Sequence, residues 1–120
     1  MPRKPPLLTL PILGGSHELT IIRLKRGENS FTLHYWITPP LPESGSESLV
    51  LPVLEALDDL GNEYDDRGGA YGTHPDGTYT DGSLTMQPSL HRDASSLRIH
   101  ITWLRGGMET SYDMTLDVRF

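Results

Sequence analysis

Cysteine is absent from this chain. That removes disulfide staples, thiol nucleophiles, thiolate metal sites and a lipid-anchored N-terminal cysteine. A domain of 120 residues still buries enough surface to fold without such staples. Long apolar runs are absent too, and none approaches the roughly 18 residues of a membrane-spanning helix. There is no basic excess: Lys and Arg number 10 against 16 Asp and Glu, a net charge of -6. Nucleic acid and anionic membrane surfaces both require a basic face, so neither is an expected partner. Catalytic signatures are missing as well. No serine sits in a G-x-S-x-G turn, and neither Gly14-Gly15 nor Gly68-Gly69 has the lysine and helix of a phosphate loop. The five histidines show no H-x-H or H-x-x-x-H spacing.

The first residues, MPRKPPLLTLPILGGSHE, imitate a signal peptide, with two bases ahead of an apolar stretch. Thr9 and Pro11 interrupt that stretch, proline breaks the helix an apolar core region forms, and no A-x-A cleavage site follows. The segment reads as a mature N-terminus. The expected location is therefore cytoplasmic, with secretion or the cell envelope as the alternative.

Turn chemistry is abundant. Gly and Pro number 12 and 10, scattered between short apolar runs, which points to strands joined by turns. SSLRIHITWL places Leu97, Ile99, Ile101 and Trp103 on one face, with Arg98, His100 and Thr102 on the other. SYDMTLDVRF alternates in the same way from Tyr112 to Phe120. Period two excludes a helix, and Gly106-Gly107 between the runs predicts a hairpin. NSFTLHYWIT repeats the alternation, with Phe31, Leu33, Tyr35 and Ile37 opposite Thr32, His34 and Trp36. HELTIIRLKRG is a further strand, and its doubled Ile21-Ile22 predicts a bulge. LLTLPIL is an edge strand, because Pro11 has no N–H for a ladder. PPLPESGSE and GAYGTHPDGTYTDGS read as loops. SLVLPVLEAL reads as a strand through Pro52, with a short helix as the alternative because Val53, Leu54 and Leu57 have helical spacing. The expectation is a single all-β domain over 1–120. Seven or so strands would form a two-layer antiparallel β-sandwich, with a jelly roll as the alternative.

The charge imbalance sits in one segment. Residues 58–81 hold seven acids (Asp58, Asp59, Glu63, Asp65, Asp66, Asp76 and Asp81) against Arg67 alone, while the flanking segments are balanced. Within it, Asp58-Asp59 and Gly61-Asn62 have the chemistry of a tight connection. Asp side chains bond nearby amides, and Gly accepts positive φ. The main expectation is therefore a hairpin from Asp58 to Tyr64. Its rival is a hard-cation site, calcium for preference, held by Asp58, Asp59, Asp65 and Asp66, because clustered carboxylates repel and a cation relieves them.

LDDLGNEY, Gly68-Gly69, SLTMQPSL and SSLRIHITW together resemble the C-terminal part of bacterial immunoglobulin-like domains, over residues 54–118. Such domains occur in secreted lipoproteins and in the outer portions of anti-sigma factors. The resemblance implies an immunoglobulin-like sandwich that acts as an interaction or structural module rather than an enzyme; no cofactor is expected, calcium apart. The residues themselves add Trp36, which falls on the face opposite the apolar one, and Tyr71 and Tyr79 as further aromatic contacts. Exposed aromatics anchor protein interfaces and stack on sugars. The expected function is a non-catalytic module that binds a protein partner or a second copy. The alternatives are a glycan-binding module with a structural calcium, and a small jelly-roll enzyme.

Overall fold

The computed structural model describes residues 7–41 and 50–118. The described chain is all-β. Its eight strands are β1 (Leu8–Ile12), β2 (His17–Arg26), β3 (Phe31–Thr38), β4 (Val50–Asp58), β5 (Glu63–Thr73), β6 (Thr80–Gln87), β7 (Ser96–Arg105) and β8 (Met108–Asp117). Every pairing is antiparallel, and the strands form one sheet in the order β1-β2-β3-β6-β5-β4-β7-β8. The meander β4-β5-β6 has β3 beside β6 on one flank and β7 beside β4 on the other. Those are two overlapping Greek keys. The sheet curls on itself until it is nearly closed, with β1 and β8 approaching each other, and both halves point apolar side chains at one core.

The alternation read from the sequence is the alternation of burial. Phe31, Leu33, Tyr35 and Ile37 from β3 and Leu97, Ile99, Ile101 and Trp103 from β7 are buried from opposite halves of the sheet. Ile22 is the extra residue of a bulge, since the β2–β3 register shifts between Ile21 and Arg23. Pro11 lies on the edge strand β1. The helical alternative for 53–57 is replaced by β4, which pairs with β7 along its full length from Val50 to Asp58. The loop expected at 39–47 falls largely at 42–49, outside the described residues, as does Phe120.

The main correction concerns β5. GAYGTHPDGTYTDGS was read as loop, yet Gly69–Thr73 continues an eleven-residue strand, and β6 begins at Thr80. Glycines hid it, because they carry no side chain to alternate. Two of them, Gly69 and Gly82, are required by close approach. A Cβ on Gly69 would overlap the Ser83 carbonyl of β6, and a Cβ on Gly82 would overlap the Tyr35 ring.

β5 also changes partner along its length. Glu63–Asp65 pair with Glu55–Leu57 of β4, and from Asp65 onward the strand pairs with β6. The ladder between β4 and β5 is therefore only three residue pairs long. Beyond it, Val50–Leu54 and Asp66–Thr73 diverge, and this seam is where the sheet folds over. Pro52 sits on the diverging edge, where no β5 carbonyl awaits an N–H.

Tyr35 is fully buried, so it cannot swing away from a methyl group placed at residue 82. Gly82→Ala is expected to destabilise the fold by about 3 kcal/mol in urea denaturation. Tyr35→Leu in the same chain should recover part of that loss, and the double mutant should cost less than the sum of the singles.

Candidate functional site

The acidic turn folds as a clamp. Asp58 is buried at the end of β4. Its Oδ1 accepts the amides of Leu60 and Asn62, and its Oδ2 accepts the Asn62 side-chain amide and the Tyr64 hydroxyl at 2.8 Å. Gly61 adopts φ 89° to close the turn, as its position in the sequence implied. Tyr64 packs edge-to-face on Phe31 at 5.2 Å, and its oxygen accepts the His91 amide. Asp59 points the other way and binds the connection into β7. It accepts the Ser95 amide at 2.8 Å, the Ser95 hydroxyl at 2.7 Å and the Ser96 amide at 3.1 Å. These donors hold the Asp59 carboxyl down to about 2, the Ser95 hydroxyl contributing most. For Asp58, burial works to raise the pKa, but the bonds from Asn62, Tyr64 and Leu60 together outweigh it, and the carboxyl lies below its usual range.

The four carboxylates expected to share a cation do not converge. Asp58 and Asp59 serve the turn and the β7 connection. Asp65 is exposed on the outer face of β5. Asp66 lies across the seam, where Oδ2 accepts the Leu54 amide at 3.0 Å and Oδ1 accepts the Gly68 amide at 2.7 Å. Among the described residues no group of three or more His, Asp or Glu side chains is placed to hold a metal.

The three aromatic candidates separate. Trp36 and Tyr79 meet with ring centroids 4.8 Å apart, and His74 stacks on Tyr79 at 4.5 Å and 21°. This trio lies on the outer face of β3 and the β5–β6 connection, with Trp36 half-buried. Tyr71 belongs elsewhere. It turns inward, packs against the core and donates its hydroxyl to the Val50 carbonyl at 2.6 Å. Tyr71 and Asp66 thus reach from β5 to satisfy the edge of β4 that the missing ladder leaves open. His34 and His100 are not neighbours, since β6, β5 and β4 stand between their strands. His100 instead meets Asp113 at 2.8 Å. Partial burial, then the Arg23 charge, hold the His34 imidazole below its ordinary range.

The outer face of β4 is a feature the sequence reading missed. Leu51, Val53 and Leu57 are 47%, 45% and 40% exposed and lie on one side of one strand. The signal was present in LVLPVLEAL, which is apolar at almost every position. A strand with one wet face alternates, and one covered on both faces does not. Beside this ridge runs a groove of about 400 Å³ lined by Glu55, Leu57, Glu63, Asp65, Arg98 and His100. Glu55 stands directly opposite Asp65 across the strand pair, a repulsive arrangement.

No family model matches the sequence, and no curated protein does. Among solved structures, a conserved domain protein from Bacillus anthracis is similar in fold, with TM-score 0.58 and 19% identity. The alignment covers 85% of this chain and 44% of that one, so the chain spans less than half of its neighbour's length. A yeast GGA1 GAE domain aligns over 85% of this chain and 90% of its own, but with TM-score 0.34 and 10% identity it carries no argument. No helix among the described residues is long and apolar enough to cross a membrane.

Two outcomes follow from the clamp. Asp58 and Asp59 bind protons less readily folded than unfolded, where a carboxyl titrates near 3.9. The stability they contribute is present above that value and is lost as pH falls through the folded pKa values. The melting temperature should drop between about pH 4 and pH 2, and Asp59→Asn should make that drop shallower. Because the acids do not share a centre, millimolar calcium should leave the melting temperature at its value in chelator.

Proposed function

We propose that the domain is a non-catalytic protein-interaction module of immunoglobulin-like β-sandwich type, and that it docks a partner through the outer face of β4. The observation that carries this reading is the ridge of Leu51, Val53 and Leu57. Three large apolar side chains on one strand face are a cost to a solitary chain and an asset to a bound one. The partner is a different protein rather than a second copy. The ridge is bordered by Glu55, Glu63, Asp65 and Asp113 against Arg98, and the chain carries net charge -6. Two such faces repel, whereas a surface with apolar side chains and a Lys or Arg rim is complementary. The Greek-key strand order, and the burial of β3 and β7 side chains from opposite halves of the folded-over sheet, support the sandwich assignment.

The test is to isolate a partner, purify it and measure its affinity for the wild type and for a Leu51→Ser, Val53→Ser, Leu57→Ser variant. Circular dichroism should show the variant folded, since these side chains are outside the core. Affinity should fall at least about tenfold, or about 1.4 kcal/mol. Equal binding by both proteins would end the reading.

A second reading rests on a separate observation, the Trp36–Tyr79–His74 ring cluster, which supports glycan stacking. On a glycan array, binding that vanishes with Trp36→Ala would favour it. The absence of binding with and without calcium would remove it.

A further inference from the structure

The seam between β4 and β5 is a half-finished piece of sheet. Among the described residues, Val50–Leu54 has a strand neighbour only in β7, and Asp66–Thr73 only in β6. Two strand edges therefore face each other across a wedge. Edge N–H and C=O groups are templates for a further strand. Here two side chains hold the place, Tyr71 donating to the Val50 carbonyl and Asp66 accepting the Leu54 amide, so a further strand must displace both from the β4 backbone. Between the diverging strands lies a cavity of about 210 Å³, bounded by Leu51, Pro52, Gly69, Tyr71, Tyr35 and Leu84. Its walls are apolar, and its size suits one aliphatic side chain.

We propose that this wedge receives an extended segment of the partner, which runs antiparallel to β4, seats one apolar side chain in the Tyr35–Tyr71 cavity and places a Lys or Arg one residue before it. The inference rests on the docking reading above and names how the partner engages. The register sets the pattern. A residue opposite Pro52 points inward like Pro52, toward the cavity, since Val50, Leu54 and Ala56 of the same parity are buried. The preceding residue lies opposite Val53 and points outward. Its side chain lies within reach of Glu55 and Asp65, two residues further along β4 and at the apex of the wedge. Those carboxylates oppose each other, and neither has an ion-pair partner among the described residues. A cationic side chain between them removes that repulsion. Leu51 lines both the cavity and the exposed ridge, so the wedge and the ridge form one continuous surface. This is strand addition, in which backbone bonds supply affinity and alternate side chains supply specificity.

The test uses a capped octapeptide of threonine and valine with leucine at its fifth position and lysine at its fourth. The full chain is labelled with nitrogen-15 and titrated. The proposal expects saturable amide shifts centred on Leu51, Val53 and Leu54 and on Gly69–Tyr71. Replacing the peptide leucine with alanine should weaken binding at least about tenfold. Replacing its lysine with glutamate should also weaken it, and Asp65→Lys in the protein should reverse that preference. Asp65 is exposed, so this variant tests specificity without disturbing the core. The absence of shifts in the seam, shifts confined to another edge, or binding indifferent to both peptide substitutions would overturn the proposal. If the octapeptide fails while the ridge variant still loses its purified partner, the strand-insertion mode falls and the docking reading stands.

Discussion

Everything distinctive in this fold depends on β4 and β5 parting after three residue pairs. A continuous ladder there would hold the eight strands in a more open sheet. By releasing β4 and continuing with β6, β5 lets the sheet fold over one core, so that side chains of β3 and β7 are buried from opposite directions. Parting costs hydrogen bonds, because edge N–H and C=O groups left dry are expensive. Asp66 and Tyr71 offset part of that cost by bonding the β4 backbone themselves. Pro52 offsets another part, as it has no N–H to satisfy. The bulge at Arg67-Gly68 gives β5 the bend it needs, with Gly68 at φ 90°.

The polar residues that most resembled a site turn out to be structural. Asp58 organises a turn from inside, and Asp59 ties that turn to the start of β7. Tyr64 joins the same network to the core through Phe31 and to the β6–β7 connection through His91. Arg26, at the end of β2, extends this pattern by donating to the carbonyls of Val118 and Leu90. Carboxylates with three or four protein donors are committed groups. Their low pKa values measure that commitment and not a readiness for chemistry. The surface left over is different in kind. It has an apolar ridge on β4, uncompensated acids beside it and an unfinished edge next to both. Those are the features on which the proposed docking reading rests.

Much of the architecture was legible in the sequence. Period-two alternation located β3, β7 and β8 and assigned their inward faces, because a half-buried strand has no other way to satisfy core and solvent. The doubled isoleucine marked the bulge in β2, Pro11 marked an edge, and Gly61 marked the turn. The second half of β5 was not legible. Gly68, Gly69 and Gly72 carry no side chains, so the alternation that signals a strand was missing; Gly69 is required by the close approach of Ser83, and Gly68 by its positive φ. Leu51, Val53 and Leu57 were legible only as a strand apolar on both faces, and the sequence does not say which face is covered.

Sequence alone determined the class of the fold, the inward face of most strands and the turn chemistry at Asp58–Tyr64, because these follow from local periodicity and backbone preference. Tertiary structure decided which strands are neighbours and therefore which side chains share a task. Asp65 and Asp66 are adjacent in sequence. One is an outward acid facing Glu55, and the other is a bridge to the β4 backbone. Tyr71 and Tyr79 read alike, yet one closes the seam and the other stacks with Trp36 and His74. The physical reason is that a strand presents its side chains to alternate faces, and only the pairing of distant segments gives each face something to meet.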